Sequence, residues 1–222
     1  MHTQLTMSAL QKVEQRLSSL PIIAILRGMT PIQSIEVAQK LLDAGIYNLE
    51  VPLNSPQPCQ SIERIKNKFG DDIVIGAGTV CLKQDVIDVT NAGADLMLAP
   101  NTDSDVIKLG IENQLLVMPG IATPTEAFTA INAGATHLKV FPAQTLGNTF
   151  IKALKAVLPE HIKLYAVGGV SIAEMPNWLA AGADGVGIGS VLFNASDSQQ
   201  GFDRKLEKLS KVVAQLHNNN TA

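Results

Sequence analysis

The chain has 222 residues, 46% of them hydrophobic, which is enough to bury one sizeable core and lies in the range of single-domain α/β barrels. Its 17 basic and 20 acidic residues give a formal charge of -3 without a run of like charges, so a polyanion such as nucleic acid is not an expected partner. The polar residues 1–11 do not resemble a signal peptide, and no stretch approaches the ~18 apolar residues of a membrane span, so we expect a soluble, cytoplasmic protein.

A helix over about residues 7–19 is the first predicted element. Eight short runs rich in β-branched and aliphatic residues follow, and stretches with helical periodicity separate them, as is typical of buried parallel strands with crossover helices. In chain order, the predicted strands cover residues 21–27, 47–53, 73–79, 95–100, 115–119, 137–143, 162–167 and 185–189. A helix over about residues 200–217 and a polar tail at 218–222 complete the pattern.

Start and stop signals support the predicted helices. A capping residue precedes a proline or an acidic first turn at Thr30-Pro31, Ser55-Pro56, Thr123-Pro124 and Ser171. The pair Ala-Gly recurs before predicted strands at residues 44–45, 92–93, 133–134 and 181–182, where glycine supplies the left-handed residue that ends a helix. Eight strand-helix units favour a closed (β/α)8 TIM barrel with an extra N-terminal helix over an open sheet. We predict one domain over residues 1–222, with its core at about 20–195.

Two charged residues interrupt strands that are otherwise apolar. Glu50 lies in the second predicted strand and Lys139 in the sixth, and these strands face each other across an eight-stranded barrel. Burying either charge alone would cost several kcal/mol, so each residue needs a partner or a function. One interpretation is a structural ion pair, or side chains that point outward beneath the helices. The other is a Schiff-base lysine beside a general acid and base, because burial lowers the pKa of an amine and only the neutral amine attacks a carbonyl.

Small and polar residues follow the strands at the end where barrel enzymes place their active sites. Arg27 and Thr79 end the first and third predicted strands, and together they offer a planar guanidinium and a hydroxyl suited to a carboxylate. The last two strands end in paired residues whose backbone N–H groups suit a phosphate, which a following helix N-terminus would also attract. These predicted phosphate-binding residues are Gly168, Gly169, Gly189 and Ser190.

Metal ligands and reactive thiols are sparse in the sequence. The histidines, at positions 2, 137, 161 and 217, are scattered, and Cys59 and Cys81 form neither a CxxC pair nor a cluster with histidine. We therefore predict no metal site and no disulfide framework.

Six motifs together resemble the aldolases of 2-keto-3-deoxy-6-phosphosugar acids, the KDPG/KHG aldolase family. They are LEVPLNSP (49–56), IGAGTV (75–80), PGIATPTEA (119–127), LKVFPA (138–143), VGGV (167–170) and GIGS (187–190). The resemblance implies that Lys139 forms the Schiff base and that Glu50 shuttles protons, without a metal or an organic cofactor. It also implies a homotrimer and a phosphorylated 2-keto-3-deoxy sugar acid that is cleaved to pyruvate and glyceraldehyde 3-phosphate.

Two positions separate the branches of this family. The gluconate-specific branch typically has an arginine where this chain has Asn54, and a threonine where it has Val167. Together with Arg27 on the first strand, this combination resembles the branch that acts on the galactonate epimer, with Val167 as the specificity residue. The alternatives are the gluconate epimer or dual specificity, a phosphate-binding barrel isomerase or epimerase, and a barrel that binds a phosphorylated metabolite or a partner without catalysis.

Overall fold

The structure is a computed structural model that describes the backbone of residues 7–219 and the side chains of residues 7–214. His2 and the side chain of His217 therefore lie outside the described residues. The predicted polar tail falls partly outside them as well, and its first two residues belong to the last helix. Among the described residues, no helix combines the length and the apolar character that crossing a membrane requires.

Nine parallel strands form one sheet that curves into a nearly closed barrel, which confirms the predicted fold class. In chain order the strands are β1 (Ile22–Ile25), β2 (Asn48–Pro52), β3 (Val74–Gly78), β4 (Leu96–Leu98), β5 (Leu116–Met118), β6 (Gly120–Ile121), β7 (His137–Val140), β8 (Lys163–Val167) and β9 (Gly185–Ile188). The sheet order is β5-β4-β3-β2-β1-β9-β8-β7-β6, so β1 pairs with both β2 and β9.

The fifth predicted strand, residues 115–119, contains β5, and a further short strand, β6, follows directly after it, which explains why nine strands occupy eight places. β5 pairs with β4, whereas β6 pairs with β7 on the other side. Pro119 lies between the two strands and has no N–H to donate, although its carbonyl accepts a hydrogen bond from the N–H of Lys139 at 2.8 Å. The chain thus changes pairing partner at the proline, and the two ends of the sheet meet there.

Within the described residues, ten α-helices surround or cover the barrel. They are α1 (Ala9–Ser19), α2 (Pro31–Asp43), α3 (Pro58–Phe69), α4 (Lys83–Asn91), α5 (Ser104–Glu112), α6 (Pro124–Asn132), α7 (Ala143–Leu146), α8 (Asn148–Lys155), α9 (Met175–Ala180) and α10 (Gln199–Asn219), with a 3-10 turn at Gly70–Asp72. Thr30 and Thr123 precede α2 and α6 as predicted. The expected start at Ser55-Pro56 is wrong, because Gln57 adopts a left-handed conformation and α3 begins at Pro58. The start expected at Ser171 is also displaced, since α9 begins at Met175.

Successive side chains along each strand point alternately into the barrel and outward toward the helices. Residues that share the inward face pack in one cluster: Ile23, Ile25, Val74, Leu96, Leu98, Leu116, Met118, Tyr165 and Val167. Val13 and Leu17 of α1 belong to the same cluster, so the extra N-terminal helix packs against residues of the barrel interior. The hydrophobic strand residues that point the other way pack in a larger cluster with the helices.

The repeat seen in the sequence has a structural basis at the start of two strands. The motif Ala-Gly-Ala-Asp occurs twice and ends at Asp95 and Asp184. Each carboxylate accepts a hydrogen bond from a backbone N–H of a neighbouring strand, Ile75 at 3.0 Å and Leu164 at 2.8 Å, and each also pairs with a lysine of a helix. The four predicted helix-ending glycines all have positive φ. The repeated motif therefore joins β4 to β3 and β9 to β8.

Candidate active site

One cavity of about 580 Å³ lies at the carboxyl ends of the strands. The residues predicted from the sequence as site residues all line it: Arg27, Glu50, Thr79, Lys139, Val167, Gly168, Gly169, Gly189 and Ser190. They come from six different strands or strand ends, and parallel closure of the sheet brings these ends to one rim. The fold thus assembles the predicted set in one place, and the geometry of each residue indicates what it can do there.

Glu50 and Lys139 are buried on opposite sides of this cavity. Glu50 is 3% exposed on β2 and Lys139 is 8% exposed on β7, and four steps around the barrel separate the two strands in either direction. Among the described residues, no salt bridge or hydrogen bond joins the two side chains, and the Oε2 atom of Glu50 is buried without a hydrogen-bond partner. The two side chains therefore do not form a direct ion pair, and both groups remain available to a substrate.

Burial changes the protonation of both groups in a direction that suits proton transfer and nucleophilic attack. Desolvation raises the pKa of Glu50 to about 7, although the nearby charges of Lys139 and Arg27 lower it again in part. Desolvation lowers the pKa of Lys139, while the charge of Glu50 raises it and that of Arg27 lowers it further. Glu50 can therefore gain or lose a proton near neutral pH, and the amine of Lys139 is neutral more often than an exposed lysine.

Phe141 is a cavity residue that the sequence interpretation missed. The Nζ atom of Lys139 lies 4.6 Å from the centroid of its ring, which forms one wall of the cavity. The face of an aromatic ring attracts a cation, so this ring restricts where the amine can lie. The sequence contained a signal for Phe141, because it lies two residues after Lys139 and residues two apart along a strand share a face.

The end of this strand differs from the prediction. The sequence predicted a strand to residue 143, whereas β7 ends at Val140 and α7 begins at Ala143.

Arg27 and Thr79 lie at the rim with free polar groups. The guanidinium of Arg27 is exposed, and among the described residues neither it nor the Thr79 hydroxyl has a hydrogen bond or ion pair. Thr79 has a φ of 62°, a left-handed conformation that costs a β-branched residue on the order of 1–3 kcal/mol. Strain of this kind concentrates at binding and catalytic sites, and here it falls on a residue that lines the cavity.

The two glycine-containing strand ends present unused backbone donors. Gly168 and Gly169 have φ of 96° and 80°, and the carbonyl of Gly189 accepts hydrogen bonds from the N–H groups of Leu192 and Phe193. Several backbone N–H groups in these two loops donate to no protein acceptor among the described residues, including those of Gly169, Val170, Ser190 and Val191. Convergent free N–H groups bind an anion without any cationic side chain.

The helices that follow these loops begin several residues downstream of them. Three turn residues lead into α9, which begins only at Met175 and has six residues, and α10 begins only at Gln199. Loop backbone therefore replaces helix termini as the source of N–H donors.

The other titratable groups in residues 7–214 form no second centre of the same kind. His137 lies buried on the inward face of β7, with its ring centroid 6.0 Å from that of Tyr165, and desolvation lowers its pKa to about 4. No group of three or more histidine, cysteine or acidic side chains suited to a metal ion occurs in the described part of the chain. A larger cavity of about 760 Å³ lies beside α1, but its charged residues pair with one another, as Lys12 does with Asp71 and Lys66 with Asp95.

Comparison with known proteins gives a consistent result. A model of the KDPG and KHG aldolase family matches residues 13–209. The 2-dehydro-3-deoxy-6-phosphogalactonate aldolase of Escherichia coli strain K12 is 46% identical over 181 residues, which cover 82% of this chain and 88% of that protein.

Solved structures agree with this match. The native KDPGal structure superposes with a TM-score of 0.85 at 43% identity, covering 88% of this chain and 95% of that one. A cube-shaped cage designed by fusing symmetric oligomeric domains aligns with a TM-score of 0.86 at 42% identity, over 91% of this chain and 75% of that one. The family match spans nearly the whole barrel, and the chain therefore belongs to the KDPG and KHG aldolase family, whose members cleave and form carbon-carbon bonds.

Proposed function

We propose that the protein cleaves 2-dehydro-3-deoxy-6-phospho-D-galactonate to pyruvate and D-glyceraldehyde 3-phosphate through a Schiff base on Lys139. The observation that carries this proposal is a buried amine with a lowered pKa, opposite a carboxyl group with a pKa of about 7, in one cavity. An isomerase or a binding barrel would need neither an amine with a lowered pKa nor its separation from the carboxylate.

The first half of the reaction uses the nucleophilicity of Lys139. Its neutral amine adds to the C2 ketone of the substrate, and loss of water leaves a positively charged iminium. The iminium attracts the electron pair of the C3–C4 bond. Phe141 lies against the Nζ atom and stabilises the positive charge that the iminium carries.

The second half requires a proton acceptor that later becomes a donor. Glu50 accepts the proton of the C4 hydroxyl, directly or through a water molecule, as the C3–C4 bond breaks and D-glyceraldehyde 3-phosphate leaves. The electron pair of that bond becomes the enamine, which Glu50 protonates at C3. Hydrolysis of the resulting iminium releases pyruvate and restores Lys139, so the cycle consumes no cofactor.

The ends of the cavity hold the two anionic groups of the substrate. Arg27 and Thr79 bind the carboxylate, because a free guanidinium and a free hydroxyl lie together at the rim. Gly168, Gly169, Gly189 and Ser190 bind the phosphate through their loops, in which several backbone N–H groups have no protein acceptor among the described residues. A substrate held at both ends lies across the cavity between Lys139 and Glu50.

Borohydride reduction in the presence of pyruvate tests the mechanism. A Schiff base is reduced to a stable amine, and mass spectrometry of the intact chain then shows the added mass of one reduced pyruvate. The same preparation must cleave the phosphorylated galactonate acid. Isomerisation without trapping would support the barrel isomerase instead, and phosphate binding with neither trapping nor cleavage would support the binding barrel.

Val167 supports the galactonate epimer as the preferred substrate. Its side chain lines the cavity, is 3% exposed and packs beside Gly187, so it presents methyl groups where a threonine would present a hydroxyl. The 46% identical relative named for the galactonate acid favours the same assignment. Parallel cleavage assays with the two C4 epimers decide it, and a preference of the wild-type enzyme for the gluconate epimer would contradict it.

We expect Val167→Thr to shift the ratio of kcat/KM values toward the gluconate epimer by at most about tenfold, since one hydrogen bond between neutral groups contributes about 0.5–1.5 kcal/mol. Trapping of pyruvate at Lys139 should be unchanged. Val167→Ala is the control, because it removes bulk without adding a hydroxyl and should not produce this shift. An unchanged ratio in Val167→Thr would show that residue 167 packs without selecting.

The pKa of Glu50 predicts the pH dependence of turnover. At saturating substrate Lys139 is bound in the iminium, so Glu50 must be ionised to accept a proton, and kcat should fall as pH decreases through about 7. The decrease should approach tenfold per pH unit well below that pKa. Residual turnover of Glu50→Gln should lack this dependence. A wild-type kcat that stays constant between about pH 5.5 and 8.5 would contradict the assignment of Glu50.

We also propose that the whole chain acts as one domain that assembles into homotrimers in the cytoplasm. The designed cage, built by fusing symmetric oligomeric domains, supports self-association of this kind of barrel. Sedimentation equilibrium of the purified protein measures the mass of the assembly, and cell fractionation measures its location.

A further inference from the structure

We propose that Gly78 is a positioning residue for Glu50: its missing side chain leaves the space in which the carboxylate lies. This inference rests on the proposed role of Glu50 as the proton shuttle. Gly78 ends β3, and in the sheet it pairs with Pro52 of β2, the residue two positions after Glu50 on the same face. The N–H of Leu53 also donates to the carbonyl of Gly78 at 2.8 Å, which holds the two strand ends together.

Position 78 has no space for a side chain, although its backbone conformation would allow one. A Cβ atom built on Gly78 would overlap the Oε1 atom of Glu50 and would lie 3.2 Å from its Oε2 atom. Gly78 does not have the left-handed backbone that disfavours other residues. Alanine would therefore fit the backbone of β3 but not the space beside it.

Packing is the main restraint that the protein places on this carboxylate. Among the described residues, no hydrogen bond or salt bridge to the carboxylate of Glu50 occurs, and its Oε2 atom is buried without a partner. A carboxylate without a bonded partner takes the rotamer that the surrounding atoms allow. A methyl group at position 78 would move the carboxylate away from β3, and a displacement of about 1 Å is enough to impair proton transfer.

Gly76 provides a matched control on the same strand. It faces the same side of β3, two residues earlier, and a Cβ atom there would meet the Cγ atom of Leu96 at 2.6 Å. Gly76 pairs with Glu50 in the sheet but does not line the cavity, and the three atoms nearest to a Cβ there all belong to Leu96. Gly76→Ala thus introduces a steric conflict inside the barrel that falls on Leu96 and not on the carboxylate.

The first experiment compares trapping and turnover in both variants. We expect Gly78→Ala to keep borohydride trapping of pyruvate, to lose about 100-fold or more in kcat, and to change the acid limb of the kcat profile. Gly76→Ala should lower the thermal midpoint of unfolding, while kcat per folded molecule stays within about threefold of wild type. Wild-type kcat in Gly78→Ala, or an equal loss of kcat in both variants, would overturn the proposal. If wild-type protein itself fails to trap pyruvate, the proposed function is wrong rather than this inference.

A second experiment uses a double-mutant cycle and remains informative if Gly78→Ala folds poorly. Shortening Glu50 to aspartate withdraws the carboxylate from the new methyl group, so Glu50→Asp should lower kcat less in Gly78→Ala than in wild type. Removing the side chain with Glu50→Ala should restore the thermal midpoint of Gly78→Ala to that of Glu50→Ala alone. Additive changes in both kcat and the thermal midpoint would overturn the proposal, because the two positions would then act independently.

Discussion

Lys139→Met should abolish borohydride trapping of pyruvate and lower kcat/KM by about 10⁴-fold or more, because it removes the amine proposed to form the iminium. Methionine has a similar length and no charge, so its side chain can still lie against Phe141 in a site that already disfavours a cation. The fold should therefore be retained, and circular dichroism and thermal unfolding can verify this. The expected loss is chemical rather than structural.

Lys152 on α8 supplies the control for this experiment. Its side chain is exposed to solvent, so Lys152→Met should trap pyruvate and turn over as the wild type does. Peptide mass spectrometry of trapped wild-type protein should place the adduct on Lys139. An adduct on Lys152 or Lys155 would show that the assignment of the covalent residue is wrong.

Glu50→Gln should keep Schiff-base formation and lose about 10²- to 10⁴-fold in kcat, the range usual for loss of a general acid or base. The amide preserves the shape of the side chain in its fully buried position but cannot accept or release a proton. Because the charge of Glu50 raises the pKa of Lys139, its removal should leave the amine neutral more often, so trapping should be at least as fast. Trapping and cleavage are measured on the same sample. Wild-type turnover in this variant would assign the proton transfer to another group.

The two predictions separate the steps of the reaction. Lys139→Met should block the cycle before any bond of the substrate is broken, whereas Glu50→Gln should block it after the iminium has formed. If both variants trap pyruvate equally well, the nucleophile must be a residue other than Lys139. If neither variant traps pyruvate, Glu50 is also needed to form the Schiff base.

The amino-acid sequence determined the barrel and the membership of the site because both depend on local patterns. Eight short apolar runs with helical stretches between them can bury their surfaces in few ways, and a closed parallel barrel is one of them. Glu50 and Lys139 were recognisable because a charge within an apolar strand is costly unless it has a function. Arg27, Thr79 and the paired glycine residues were recognisable because active sites of such barrels lie at the carboxyl ends of strands.

Only the tertiary structure decided the features that depend on neighbours distant in the chain. The change of pairing partner at Pro119 follows from the closure of the sheet, since β5 and β6 pair with different strands. The space that Gly78 leaves for Glu50 depends on the register between β2 and β3, and the protonation of Glu50 depends on burial by the closed barrel. Sequence periodicity indicates which face a residue occupies, but strand pairing decides which atoms meet on that face, and burial decides their charge.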